Sequence, residues 1–210
     1  MLYFDTLPKL ITLDPTNNAV VVTNILSRSS IIQKLLKNPA LFYQYDIQDG
    51  DTPEIVASKY YGDSYRYWLV LFANQIFDPQ WQWPLSANQF EAYLNDKYGS
   101  AAANNNQTMI AYTQSTIQEY RKIYTSYDST TANTTIINYT IDSNTYNNLV
   151  TSTQTVALPS GASCTITIDK EIIDIYTYEV EQNDAKRTIN LINVIYAGQF
   201  EQELDSLMNS

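Results

Sequence analysis

Apolar and polar residues alternate along Phe42-Tyr43-Gln44-Tyr45-Asp46-Ile47, a period of two that predicts a short, half-buried strand. The alternation stops at Asp49-Gly50-Asp51, where glycine permits a positive φ and so a tight turn. Thr52-Pro53 reads as an N-cap followed by proline at the first helical position. A helix is therefore predicted from Pro53 to about Tyr61, with Ile55, Val56 and Tyr60 inward and Gly62 ending it as a left-handed residue. Asp63 or Ser64 caps a second helix, where Trp68, Leu71 and Phe72 have the i, i+3, i+4 spacing of one buried face and Asn74 closes the run. Beyond a proline- and tryptophan-rich turn, Ser86 is placed to cap a third helix to about Tyr98, with Leu85, Phe90, Tyr93 and Leu94 apolar and Gly99-Ser100 ending it.

On the N-terminal side, apolar pieces are broken by Pro8, Pro15 and Asn17-Asn18, which predicts an extended arm with a strand over Ala19 to Thr23. Asn24 then caps a helix through Lys37 carrying Ile25, Ile32, Leu35 and Leu36, and Asn38-Pro39 stops it. From Ala101 to Ser163 charge nearly vanishes, and Thr, Asn, Ser and Tyr dominate. β-Branched residues alternating with polar ones over 134 to 141 predict a strand rather than disorder. Asp142-Ser143 starts a short helix through Leu149, and 152 to 158 pairs with 163 to 169 around Pro159-Ser160-Gly161. Residues 107 to 127 fit either strand or helix. Ile172 to Val180 reads as a long strand, Arg187 to Leu191 as another. Asn193 then caps a final helix with Ile195, Phe200, Leu204 and Leu207 inward and Glu201, Glu203 and Asp205 toward water.

Composition narrows the chemistry. With 210 residues there is room for one moderate domain or two small ones, and the single cysteine, Cys164, excludes an intrachain disulfide or a multi-thiolate metal site. The absence of histidine removes the commonest general base and zinc ligand. A net charge of −10, with no basic cluster longer than Arg121-Lys122 or Lys186-Arg187, repels phosphate backbones and argues against nucleic acid. No signal peptide or membrane-spanning run is evident, so no membrane partner is expected. Eighteen tyrosines suit either interfaces or half-buried sheets.

The strand, the Gly-Asp-Thr turn and the two short helices resemble a LysM module. The run Gln48 to Ala57 followed by Tyr61-Gly62-Asp63, Trp68 to Asn74 and Asp78-Pro79-Gln80-Trp81-Gln82-Trp83-Pro84 is similar to the LysM-like segment of baseplate wedge proteins of contractile-tailed bacteriophages. Ile25-Leu26-Ser27-Arg28 resembles the family's Ile-x-x-Arg helix start. Tyr178 to Ile192, with its Asn183-Asp184-Ala185-Lys186-Arg187 turn, resembles the family's C-terminal pattern. The resemblance implies a virion tail baseplate component made in the host cytoplasm. Its implied neighbours are the sheath-initiating subunit and larger wedge subunits in six-fold arrangement. Ordinary LysM modules close a two-stranded sheet with a strand after the second helix. None is evident here, so either a distant segment completes the sheet or the first strand pairs with a partner.

The expected fold class is α+β: an N-terminal arm and helix (1–41), a LysM-like β-α-α domain with an added helix (42–99), a Thr/Asn/Tyr-rich β insert (100–170) and a C-terminal strand and helix (171–210). Glu54, Asp63, Glu91 and Glu119 are glycosidase candidates by residue type alone, since no spacing selects a facing pair. Asp49, Asp51 and Glu54 lack calcium-loop spacing, and Cys164 has no base beside it, so it is read as buried and inert. No catalytic residue, cofactor or metal site is expected. Partner or glycan contacts are assigned to Asp49, Thr52, Asn74, Trp81 and Trp83. The functional expectation is a non-enzymatic wedge subunit, whose Tyr-rich strands, proline-broken arm and unclosed module leave edges for neighbours to cover. The alternatives are a peptidoglycan-binding LysM module and, more distantly, a cell-wall hydrolase.

Overall fold

The computed structural model describes residues 7–25, 39–157 and 161–208. In chain order the elements are β1 (Lys9–Leu13), β2 (Ala19–Thr23), β3 (Phe42–Asp46), α1 (Pro53–Tyr61), α2 (Tyr67–Ala73), α3 (Pro79–Gln82), α4 (Ala87–Asn104) and α5 (Met109–Ser115). They continue with β4 (Ile117–Asp128), β5 (Asn133–Ile141), α6 (Ser143–Asn148), β6 (Ser152–Ala157), β7 (Ser163–Asp174), α7 (Ile175–Asp184), β8 (Thr188–Ile192) and α8 (Val194–Met208). The class is α+β, as expected. Two compact units form, residues 1–90 with 183–210 and residues 91–182. The predicted helix over Asn24 to Lys37 lies outside the described residues from Leu26 on, as does the hairpin tip at Pro159-Ser160.

In the first unit β3 pairs antiparallel with β8, from Phe42 opposite Ile192 to Asp46 opposite Thr188. A segment more than 100 residues downstream thus completes the sheet, the first of the two alternatives left open above, and the module is closed within the chain rather than left open for a partner. Local signals behave as predicted: Thr52 Oγ1 accepts from the Ile55 amide, and Gly62 ends α1 at φ 71°. The helix phases differ. α1 buries Val56, Ala57 and Tyr61, leaving Ile55 exposed, and α2 buries Trp68, Leu69, Val70 and Ala73, with Leu71 and Phe72 at the margin. These side chains meet Ile189, Leu191 and Ile192 of β8 and Ala197 and Leu204 of α8 in one core. α8 therefore points Ala197 inward, which carries Ile195, two positions away, to the opposite face at 81% exposure. Glu201 does not face water alone: both carboxylate oxygens accept from Arg66, at 3.0 and 3.1 Å. β1 and β2 form a hairpin, its turn held by Asp14 Oδ1 accepting from the amides of Thr16 and Asn18.

The second unit is built on a four-stranded antiparallel sheet in the order β5-β4-β7-β6. The strand at 134 to 141 and the helix capped by Asp142 are as predicted, and 107 to 127 is helix first and strand second. Two expectations fail. The third helix does not end at Gly99: Ala101-Ala102-Ala103 carry it on to Asn104, with Leu94 and Ala102 buried, which outweighs the ~1 kcal/mol cost of an interior glycine. It ends where Asn106 takes φ 54° and Gln107 donates to the Ala102 carbonyl. Nor is Ile172 to Val180 a strand. β7 stops at Asp174, whose carboxylate accepts from the Thr177 amide (2.7 Å) and hydroxyl (3.1 Å), and this cap starts α7 despite the β-favouring Ile and Tyr residues.

Candidate functional site

Three loops of the first unit converge: the turn after β3 (residues 48–54), the tryptophan turn (78–86) and the residues before β8 (183–187). At the first, Asp51 is buried and accepts from Lys59 Nζ (2.7 Å), Tyr45 OH (2.8 Å) and the Gln48 amide (3.2 Å). Burial alone raises its pKa, but these donors outweigh it and hold the carboxyl below its ordinary value. Asp51 is thus occupied by protein donors. Among the described residues no group of acids, histidines or cysteines is arranged to hold a metal ion.

The tryptophan turn is bound to both other loops. Trp83 is 8% exposed, and its indole Nε1 donates to the Asp51 carbonyl at 2.8 Å. Asn183 is also buried: its Oδ1 accepts from the Leu85 amide (2.7 Å) while its Nδ2 donates to the Leu85 carbonyl (3.0 Å). Lys186 Nζ donates to the Trp81 carbonyl at 2.8 Å. The Asn-x-Ala-Lys-Arg turn and the tryptophan turn, far apart in sequence, are therefore two halves of one clasp. Sequence reasoning marked both motifs but did not assign Asn183 or Lys186 a contact. Buried side-chain amides carry no periodic signal, and only the co-occurrence of the motifs pointed to them.

The five assigned contact residues occupy different environments. Thr52 is spent on capping α1, and Asp49 Oδ1 accepts from the Ala87 amide (3.0 Å) at the start of α4. Asn74 lies against the outer edge of β8, where its Oδ1 accepts from the Asn190 amide and its Nδ2 donates to the Asn190 carbonyl, both at 2.8 Å. One side chain thus stands in for a neighbouring strand. Asn74→Ala is expected to lower stability by about 1 kcal/mol, read as a shift in the urea midpoint with unchanged slope. Trp81 is 65% exposed and Trp83 is buried, so the structure does not bring the two indoles together as a stacking pair.

A cleft of about 370 Å³ lies between the first two loops, lined by Gln48, Thr52, Glu54, Gln80, Ser86 and Gln89 among others. Besides these polar groups, Pro53, Pro79, Pro84, Leu85 and Trp83 line it, so its walls are mixed. The second unit holds the remaining buried charges. Glu179 accepts from Tyr93, Lys97 and Tyr98, and Arg121 is paired with Glu119 and Glu181. Cys164 is half-buried with its Sγ 3.5 Å from Ser126 Oγ. No helix among the described residues is long and apolar enough to cross a membrane.

The family described as base plate wedge protein 53, a phage family, matches the chain over residues 1–204. No curated protein matches it.

Proposed function

We propose that this chain, which belongs to the phage base plate wedge protein 53 family, joins neighbouring wedge subunits as the baseplate is assembled. A member of this family is a structural component of the virion tail and associates with other baseplate proteins. The observation that carries the joining role is the β1–β2 hairpin. By register, Ile11, Leu13 and Val21 share one face and Leu10 and Val22 the other, and all five are 40% to 78% exposed. A two-stranded hairpin is marginal in water by itself. One that is apolar on both faces is stabilised when a neighbouring subunit covers it. The chain acts without catalysis in this reading, with the sheath-initiating and larger wedge subunits as neighbours in six-fold arrangement.

Ile11→Lys combined with Val21→Glu, which sets opposite charges on a directly facing pair, tests this. Incorporation into wedges assembled from co-expressed baseplate proteins is expected to fall at least tenfold, while the thermal midpoint stays unchanged because both side chains are exposed. Normal incorporation of the double variant would sink the proposal.

Glycan binding is the second reading. It is favoured by the cleft and by the β-α-α-β order of β3, α1, α2 and β8, which supports a LysM-like kinship for this unit. It is weakened because Trp83, the indole at the cleft, has its N–H committed to Asp51 and too little exposed surface to stack on a sugar. Trp81→Ala and wild type are expected to be retained equally poorly on purified peptidoglycan, with stability changed by less than about 0.5 kcal/mol. Retention that depends on Trp81 would favour the glycan reading.

A further inference from the structure

The second unit carries an open sheet edge. β5 pairs with β4 on one side and, among the described residues, with no strand on the other. Eight of its nine residues are exposed. Its sequence, Asn-Thr-Thr-Ile-Ile-Asn-Tyr-Thr-Ile, contains no proline, glycine or charge, the devices by which an edge is kept from pairing with other chains. Apolar side chains stand on both faces. Ile137 and Tyr139 lie opposite Tyr124 and Lys122 on one face, and Ile136 lies opposite Thr125 on the other, with exposures of 40%, 49% and 63%. An added strand would satisfy the outward amides and carbonyls and cover both sets of side chains at once.

Two occupants are physically available, and charge and area separate them. A second copy would bring one chain of net charge −10 against another. A single strand edge offers less than the about 800 Å² per partner that a stable pair of proteins buries. A different subunit of the same assembly can add contact area elsewhere and need not share the charge. We infer that the β5 edge receives an extended, uncharged segment of another baseplate subunit, added as a fifth strand. Basic residues flanking that segment would be favoured by the acidity of this chain. The inference takes from the wedge reading only that such an assembly exists, and it concerns a surface separate from the β1–β2 hairpin.

Hydrogen exchange on the full chain, free and within assembled wedges, tests it. Exchange at alternate amides of residues 133–141 is expected to slow at least tenfold on assembly. Ile136→Lys with Tyr139→Lys should abolish that slowing while leaving the thermal midpoint of the free chain unchanged. A photo-crosslinker at position 136 should yield an adduct with a different subunit. Wedges that retain the chain but leave 133–141 unprotected would overturn the inference and leave the wedge reading standing. A chain that does not enter wedges would overturn both. An adduct between two copies of this chain would overturn the choice of occupant.

Discussion

Removal of residues 183–210 is expected to leave residues 1–90 without a stable fold. The segment supplies β8, half of the unit's central sheet, and buries Ile189, Leu191, Ile192 and Leu204, each no more than 4% exposed. At about 2 kcal/mol for each large apolar side chain withdrawn from water, the loss is on the order of 8 kcal/mol. That is comparable to the whole stability of a typical domain, roughly 5–15 kcal/mol. Polar losses add to it. Tyr61 OH donates to the Ile192 carbonyl, Asn74 bonds the Asn190 backbone, and Asn183 holds Leu85, so truncation takes these partners from Tyr61, Asn74 and the Leu85 backbone. Limited proteolysis should show cleavage throughout residues 42–90 in the truncated chain and protection in the full one. A milder form of the same test is Leu191→Ala, expected to cost about 2–5 kcal/mol in urea unfolding. A truncated chain whose first unit still melts cooperatively at the native temperature would refute the claim that β8 closes it.

The sequence announces what is local and conceals what is distant. Thr52, Asp63, Asp142 and Asn193 were legible because a cap bonds an amide two or three residues away, so donor and acceptor share one short window. The partner of β3 was not legible, since it lies some 145 residues along the chain and pairs through backbone groups that every residue carries. The resemblance to a wedge protein pointed to the C-terminal motif without saying what it touches. At Ile172 to Val180, two principles competed and the wrong one was favoured. Ile and Tyr favour strands, yet Asp174 three residues before Thr177 forms a helix cap, and the buried positions Ile175, Glu179 and Asn183 recur every four residues. The helix signal was concealed because two of those three inward residues are polar, so a count of apolar positions passes over them. Among the five assigned contacts, residue type alone did not distinguish Trp81 from Trp83. Burial separated them: Trp83 belongs to the core, with its indole N–H on the Asp51 carbonyl, whereas Trp81 is 65% exposed.

One of those polar residues sets the second large effect. Glu179 is 5% exposed in the second unit, where its carboxylate accepts from Lys97 Nζ (2.7 Å), Tyr98 OH (2.6 Å) and Tyr93 OH (3.0 Å). Burial alone raises its pKa, but the Lys97, Tyr98 and Tyr93 donors outweigh it and hold the carboxyl below the ordinary 4.5. On the other side of the contact, burial and the hydrogen bond to Glu179 push Tyr98 up to about 12. Glu179→Ala would leave a void and two half-buried hydroxyls without their acceptor, at a cost of about 2–4 kcal/mol. Lys97 is itself 46% exposed and can turn to water, which keeps the cost from being larger. Glu179→Gln preserves the shape, removes the charge and should cost less, about 1–2 kcal/mol. The two forms differ most with pH. A depressed carboxyl binds its proton more readily in the unfolded chain. Its stabilisation is therefore complete above 4.5 and is lost as pH falls through the lower folded value. Wild type should thus lose stability below pH 4.5 more steeply than Glu179→Gln, so that the two converge in acid, while above pH 4.5 they stay separated by a constant amount until Tyr98 titrates. Urea unfolding of both proteins across acid and neutral pH reads this directly, and parallel curves throughout would show that the Glu179 charge does not hold the second unit together.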